Sequence, residues 1–205
     1  MDLRTALSAC PVVAILRGVT PDEIDAIGDA LVEAGITVIE VPLNSPSPFE
    51  SIRRLAARRG GRALVGAGTV LDAADVARVK EAGGRLIVAP NFDADVVRAA
   101  KAAGLAALPG VMTPSEGFAA LNAGADGLKL FPAEIIPPAV FKAWRAVFPA
   151  DTLLLAVGGV GVDNLKSYEQ AGASGYGIGS ALYKPGRSAA EIGTLARALV
   201  AAAKG

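Results

Sequence analysis

The chain is predicted to be an α/β protein, a closed barrel of eight strand–helix units, and three observations lead to that prediction. Short β-rich runs alternate with longer stretches of helical periodicity along all 205 residues. Glycines that follow an alanine recur where the helical stretches end. The first strand continues as Leu16-Arg17-Gly18-Val19-Thr20, which is not the glycine-rich loop of an open nucleotide-binding sheet.

Eight short apolar runs, each bounded by glycine, proline or asparagine, are the candidate strands. In chain order they are Val12–Leu16, Val38–Val41, Leu64–Ala67, Arg85–Ala89, Leu105–Leu108, Gly127–Phe131, Leu153–Val157 and Gly175–Ile178. A helical pattern follows each run, and the first such pattern has Ile24, Ile27 and Leu31 on one face. Helix starts are predicted at capping residues, several with proline or acids in the first turn, namely Thr20, Ser47, Asp72, Asp93, Thr113 and Asp163.

The helix ends repeat at regular intervals. Five glycines follow an alanine just before a candidate strand, at Gly35, Gly83, Gly104, Gly124 and Gly172, separated by 48, 21, 20 and 48 residues. Each long interval holds two units, so eight units fill residues 1–205 as a single domain. Consecutive parallel strands need right-handed crossover helices. The near-equal units favour a closed (β/α)8 (TIM) barrel over the open doubly wound sheet.

Composition excludes several classes of function. Lys plus Arg and Asp plus Glu number 20 each, so no charge excess indicates binding to nucleic acid or to an anionic membrane. The one cysteine, Cys10, cannot form an internal disulfide and suits a reducing, cytoplasmic location. The apolar run Val12–Leu16 is followed at once by Arg17, and it is too short for a signal peptide or a membrane span.

The chain has no histidine, which removes the commonest general base and the commonest metal ligand together. With one cysteine as well, an ordinary zinc site cannot be assembled. We therefore expect no cofactor and no metal, with catalysis by Lys, Glu, Asp, Tyr, Ser or bound water. A carboxylate-held magnesium ion is the remaining alternative.

Lys129 lies within an apolar strand, Gly127-Leu128-Lys129-Leu130-Phe131. Side chains alternate along a strand, so Lys129 and Phe131 share the inner face while both leucines face the helices. The same alternation places Glu40 inside the second strand. In a barrel the chemistry lies at the carboxyl ends of the strands, so these side chains should meet at one mouth.

Arg17 and Thr69 are expected at the same mouth. Arg17 shares a face with Val13 and Ile15, and alternation gives Thr69 the face of Val65 and Ala67.

Together these residues have a chemical interpretation. A desolvated Lys129 near Arg17 should have a lowered pKa, so that its neutral amine can condense with a ketone. Glu40 would transfer protons, directly or through water, while Arg17 and the Thr69 hydroxyl would bind a carboxylate. The alternative is a buried Glu–Lys–Arg network with a purely structural role.

Glycines end the last two strands, at Gly158-Gly159 and at Gly179-Ser180. The loops after strands seven and eight are the usual phosphate site of such barrels, because their backbone amides can approach an anion. The pair of turns therefore predicts a phosphate site.

Several motifs resemble the 2-keto-3-deoxy-6-phosphogluconate and phosphogalactonate aldolases. They are Ala14-Ile15-Leu16-Arg17-Gly18, Glu40-Val41-Pro42-Leu43-Asn44-Ser45-Pro46, Val65-Gly66-Ala67-Gly68-Thr69-Val70-Leu71, Val88-Ala89-Pro90-Asn91, Pro109-Gly110, Lys129-Leu130-Phe131-Pro132-Ala133, Ala156-Val157-Gly158-Gly159-Val160 and Gly179-Ser180. The resemblance covers nearly the whole chain. It implies a class I aldolase that cleaves a phosphorylated 2-keto-3-deoxy sugar acid to pyruvate and D-glyceraldehyde 3-phosphate through a Schiff base.

The resemblance also implies residue roles and a homotrimer. Lys129 would be the Schiff-base nucleophile and Glu40 the proton acceptor. Arg17 and Thr69 would bind the pyruvate end, with Phe131 beside the imine. The phosphate would bind at Gly158, Gly159, Gly179 and Ser180.

Two departures from the gluconate branch favour 2-dehydro-3-deoxy-6-phospho-D-galactonate as substrate. Asn44 and Ser45 stand where that branch has Arg and Thr, and Val157 stands where it has Thr. Alternatives are the same chemistry on the phosphogluconate epimer or on 4-hydroxy-2-oxoglutarate, a phosphosugar isomerase or epimerase barrel, and a non-catalytic phosphosugar-binding barrel.

Overall fold

The computed structural model describes residues 1–205 and contains every predicted strand in one parallel sheet. The strands are β1 Val12–Ile15, β2 Val38–Pro42, β3 Leu64–Gly68, β4 Leu86–Val88, β5 Ala106–Leu108, β6 Gly110–Val111, β7 Leu128–Leu130, β8 Leu154–Val157 and β9 Gly175–Ile178. The helices are α1 Leu3–Ala9, α2 Ile24–Glu33, α3 Pro48–Arg59, α4 Ala73–Glu81, α5 Ala94–Ala102, α6 Pro114–Asn122, α7 Pro138–Arg145, α8 Leu165–Gln170 and α9 Ala189–Lys204, with a 3₁₀ turn at Ala133–Ile135.

Nine strands are present rather than eight because a short strand that was not predicted, β6, follows the fifth predicted strand, Leu105–Leu108, after Pro109. Proline has no backbone N–H to give to a neighbouring strand, and here it separates β5 from β6. β5 pairs with β4, and β6 pairs with β7. The sheet order is β5-β4-β3-β2-β1-β9-β8-β7-β6, so β5 and β6 are its first and last strands. Only Pro109 separates these two strands in the chain. The sheet therefore closes on itself, as the predicted (β/α)8 barrel requires.

Of the six predicted helix-start residues, three form side-chain caps, and Ser47 precedes α3 without a side-chain cap hydrogen bond. Asp72, Asp93 and Thr113 accept hydrogen bonds from backbone N–H groups at the starts of α4, α5 and α6. The five glycines of the repeat, Gly35, Gly83, Gly104, Gly124 and Gly172, all have positive φ, between 75° and 100°. Helices α2 and α8 begin later than predicted, at Ile24 and Leu165.

Apolar side chains form two layers. The larger core lies between the sheet and the outer helices. A smaller inner cluster fills the barrel with Val13, Ile15, Val38, Leu64, Leu86, Val88, Leu108, Leu153, Leu155 and Val157. No helix is both long and apolar enough to cross a membrane.

Helix α1 was not among the predicted elements. It is seven residues long, and Asp2 begins it by accepting a hydrogen bond from the Thr5 N–H at 2.9 Å. Its buried residues Leu3, Ala6 and Leu7 belong to the inner cluster, so α1 closes the amino-terminal end of the barrel.

The helix-end glycines provide a stability prediction. Gly104 has φ of 75°, and a Cβ there would meet no atom within 4 Å, so Gly104→Ala adds backbone strain without a steric clash. We expect this variant to lose about 1 kcal/mol of unfolding free energy. Gly61→Ala is the matched control, because Gly61 has equally open space and no positive φ. Urea unfolding of both variants measures the difference, and equal stabilities would contradict the assigned role of Gly104.

Candidate active site

A cavity of about 740 Å³ opens at the carboxyl ends of the strands. Its deep end is lined by side chains from β1, β7 and β8, including Ile15, Lys129 and Val157. Its outer part is lined by the loops that follow β7, β8 and β9. The cavity therefore lies where (β/α)8 barrels place their active sites.

Lys129 points into the barrel from the centre of β7, as strand alternation predicts. Leu128 and Leu130 belong to the outer core, and only 6% of Lys129 is exposed. Its Nζ lies 4.8 Å from the centroid of the Phe131 ring, within cation–π range. Burial lowers the pKa of Lys129, Glu40 opposes that shift, and Arg17 adds to it. The environment thus favours the neutral, nucleophilic amine.

Glu40 lies on the inner face of β2 and is 2% exposed. Burial raises its pKa to about 7, although Lys129 and Arg17 act in the opposite direction. Its Oε2 has no hydrogen-bond partner, and the carboxylate forms no ion pair with either cation. These observations argue against a purely structural Glu–Lys–Arg network, since a buried charge in such a network would be paired.

Gly68 makes room for this carboxylate. A Cβ on Gly68 would overlap the Glu40 side chain, so the neighbouring strand β3 must have glycine at this position. The Gly66-Ala67-Gly68 pattern of β3 therefore reflects close packing inside the barrel rather than a flexible loop.

Arg17 stands at the end of β1, and two neighbouring loops orient its guanidinium. Its Nη1 donates to Asn44 Oδ1 at 2.7 Å, and both Nη atoms lie 3.5 Å from Thr69 Oγ1. Ser45 fixes the same loop, because its hydroxyl accepts a hydrogen bond from the Gly18 N–H at 3.0 Å. Asn44 and the loop contact of Ser45 thus help to position the arginine.

Thr69 lies at this site as predicted, but the strand alternation from which the prediction placed it there was wrong. Val65 and Ala67 belong to the outer core, so strict alternation would turn Thr69 outward as well. Thr69 instead has φ of 55°, a left-handed backbone that ends the alternation just beyond β3 and brings its hydroxyl to Arg17. Non-glycine residues rarely adopt this conformation, and such residues concentrate at functional sites.

The two predicted phosphate turns both line the cavity. Gly158 and Gly159 have φ of 102° and 63°, and a Cβ on either would overlap the Glu134 side chain. A Cβ on Gly179 would meet no atom within 4 Å, so this turn faces open space beside Ser180. Gly159 and Ser180 are exposed and Gly158 and Gly179 are half-buried, so the backbone of both turns can be reached from the cavity.

Among the cavity residues that were not predicted from the sequence, four have polar or charged side chains: Glu134, Tyr183, Lys184 and Arg187. Glu134 directly follows the Lys129–Ala133 motif. Lys184 and Arg187 are the two charged residues between Gly179 and the start of α9, which is the signal that could have identified them.

The structure is a barrel with a cavity at its carboxyl mouth, and the cavity is lined by the buried Lys129 and by the exposed cations Arg17 and Lys184. This arrangement is that of a barrel enzyme. A family model for the KDPG and KHG aldolases matches residues 3–194. The chain belongs to this family and is an aldolase, a carbon–carbon lyase.

Known relatives agree with this assignment. The chain is 47% identical to a probable 2-dehydro-3-deoxy-6-phosphogalactonate aldolase of Rhizobium meliloti (strain 1021), over 94% of this chain and 91% of that protein. It is 44% identical to the 2-dehydro-3-deoxy-6-phosphogalactonate aldolase of Escherichia coli (strain K12), over 94% of each. A solved structure described as native KDPGal superimposes with a TM-score of 0.93 at 43% identity, covering 95% of this chain and 94% of that one.

The raised pKa of Glu40 provides a pH prediction. Because the folded pKa of about 7 lies above the usual 4.5, the unfolded chain binds fewer protons between these pH values, and stability falls as pH rises. We expect the unfolding free energy of the wild type, relative to Glu40→Gln, to decrease by on the order of 3 kcal/mol from pH 4.5 to pH 8.

Urea unfolding at a series of pH values measures this difference. Glu81→Gln, at an exposed position of α4, is the control for the same chemical change. The unfolding free energy of the wild type minus that of Glu40→Gln should fall with pH. A difference that stays constant or increases with pH would contradict a buried, protonated Glu40.

Proposed function

We propose that this aldolase is a class I enzyme that cleaves 2-dehydro-3-deoxy-6-phospho-D-galactonate to pyruvate and D-glyceraldehyde 3-phosphate. The observation that carries the proposal is the buried Lys129 of lowered pKa beside an unpaired Glu40. Both relatives described above are named for cleavage of the galactonate substrate.

The first step is imine formation. The neutral Nζ of Lys129 attacks the C2 ketone and gives a carbinolamine, which then loses the former ketone oxygen as water. The oxygen needs two protons to leave as water: the amine supplies one, and Glu40 in its protonated form, available because its pKa is about 7, supplies the other. The products are an iminium ion and an ionised Glu40. Phe131 lies beside the amine and limits the access of water from that side.

The second step is carbon–carbon cleavage. The C4 hydroxyl loses its proton to Glu40, the C3–C4 bond breaks, and its electrons enter the iminium to give an enamine. D-Glyceraldehyde 3-phosphate leaves. Protonation of the enamine at C3 and hydrolysis of the imine then release pyruvate and restore the free lysine.

Substrate binding uses both ends of the cavity. The guanidinium of Arg17, oriented by Asn44, binds the C1 carboxylate together with the Thr69 hydroxyl. The backbone at Gly158, Gly159, Gly179 and Ser180 binds the phosphate. No metal or organic cofactor takes part, so activity should survive treatment with EDTA.

Lys129 should be indispensable. Lys129→Arg retains a cation but cannot form an imine, so we expect a loss of cleavage by several orders of magnitude. The wild type, incubated with pyruvate and borohydride, should gain a stable adduct on Lys129 detectable by mass spectrometry. Lys80→Arg, at an exposed lysine of α4, should behave as the wild type. An adduct that persists in the Lys129→Arg variant would exclude this lysine as the nucleophile.

Val157 should influence the choice between C4 epimers. It is buried on the inner face of β8, next to the Gly158-Gly159 turn and the Lys129 amine. A threonine could donate a hydrogen bond to a C4 hydroxyl of one configuration, which is worth roughly 1 kcal/mol, or about fivefold. We expect Val157→Thr to raise kcat/KM for the phosphogluconate epimer relative to the phosphogalactonate one.

Steady-state kinetics on both epimers measure that ratio. Val65→Thr introduces the same hydroxyl in the outer core and should leave the ratio unchanged. A wild type that prefers phosphogluconate tenfold, or a Val157→Thr variant with an unchanged ratio, would contradict the galactonate assignment.

We also propose a cytoplasmic homotrimer. The chain is 52% hydrophobic, and large apolar side chains remain exposed at Leu71, Met112, Phe118, Ile135, Val147 and Val162. Such surface is usually covered in an assembly. Sedimentation at micromolar concentration should give about three times the subunit mass of 20.6 kDa. A species at the subunit mass would contradict the trimer.

A further inference from the structure

We propose that Lys184 and Arg187 form a cationic clamp that binds the substrate phosphate by charge and sets the preference for phosphorylated aldehydes. The clamp is defined by these two side chains, in the segment between β9 and α9. The inference rests on the proposed function, because it names further groups for the same phosphate. It assigns charge recognition to side chains, in addition to the backbone amides of the glycine turns.

Arg187 is fixed at the phosphate turn. Its Nη1 donates to the carbonyl oxygens of Ser180 and Ala181, at 3.1 and 3.3 Å. Its Nε and Nη2 donate to no protein acceptor, so part of the guanidinium fork remains available to a ligand. Arg187 is half-buried and lines the cavity beside Ser180.

Lys184 lines the same cavity and is exposed. It forms no ion pair, whereas eight other cations of this chain pair with acids, most of them within the same helix. Its ammonium group therefore keeps its full capacity for an anionic ligand.

The segment is held at the mouth by contacts with the loop after β1. The Tyr183 hydroxyl donates to Glu23 Oε1 at 2.7 Å, and the same carboxylate oxygen accepts the Thr20 N–H at 3.1 Å. Pro185 packs against Gly18, where a Cβ would come within 3.0 Å of the Pro185 ring. These contacts hold the backbone that bears Lys184 and Arg187 over the cavity.

Glu134 makes added positive charge necessary at this place. It is the one acidic residue lining the cavity, and it packs against Gly158 and Gly159, where the phosphate is proposed to bind. Its negative charge would repel a phosphate dianion bound only by neutral amides. Lys184 and Arg187 offset that repulsion from the opposite turn.

The experiment compares the addition of pyruvate to D-glyceraldehyde 3-phosphate with its addition to D-glyceraldehyde, which lacks the phosphate. Lys184→Gln and Arg187→Gln remove charge but keep hydrogen-bonding side chains. We expect each to lower kcat/KM for the phosphorylated aldehyde about fivefold to tenfold, and the double variant to lower it at least thirtyfold. For the unphosphorylated aldehyde each change should be less than twofold.

Control variants separate charge from folding. Lys184→Arg and Arg187→Lys keep the charge and should retain most of the activity on the phosphorylated aldehyde. Lys142→Gln removes an exposed cation from α7 and should have no effect on either aldehyde. Added NaCl should lower kcat/KM for the phosphorylated aldehyde in the wild type, and less steeply in the double variant.

A binding measurement with inorganic phosphate tests the clamp without turnover. Calorimetric titration should show binding to the wild type that is at least tenfold weaker in the double variant. Equal losses of kcat/KM for both aldehydes would assign the segment a structural role and overturn the proposal, as would unchanged phosphate binding. The wild type could turn over neither aldehyde and yet bind phosphate, with that binding lost in the double variant. In that case the proposed function would fail and the clamp would stand.

Discussion

Burial of an unpaired carboxylate and an amine inside one barrel is the constraint on which the rest of this structure depends. Glu40 and Lys129 have little exposure to water, and no ion pair offsets their desolvation. Each group responds by favouring its neutral form, with the pKa of Glu40 raised and that of Lys129 lowered. The inner aliphatic cluster helps to maintain this state, because its side chains separate both groups from the amino-terminal end of the barrel.

The strand sequences follow from the same constraint. Inner positions hold aliphatic side chains toward the amino-terminal end, functional groups toward the mouth, and glycine wherever a neighbour needs the space. Gly68 leaves room for the Glu40 carboxylate, and Gly177 faces Val157, whose methyl groups would lie 2.8 to 3.0 Å from a Cβ there. Close packing therefore fixes the reacting groups as well as the fold.

Much of this arrangement could be predicted from the sequence, since periodicity and turn residues are local signals. All eight strand positions, the five left-handed helix ends and the inward orientation of Glu40 and Lys129 follow from such signals. Thr69 could not be placed correctly, because its left-handed backbone interrupts the alternation on which the prediction depended. Helix α1 was missed because seven residues give too short a periodic signal, and its burial depends on residues distant in sequence.

The two ends of the cavity differ in their access to water. The reacting groups lie at the dry, deep end, and the groups that attract the substrate lie at the hydrated mouth. At the deep end, desolvation determines the protonation of Glu40 and Lys129, and dissolved salt cannot reach these groups to screen them. At the mouth, Arg17 and Lys184 are exposed, so their attraction for carboxylate and phosphate acts across solvent and weakens with ionic strength. A charged substrate is thus attracted by groups that remain hydrated, and it reacts with groups whose reactivity depends on the exclusion of water.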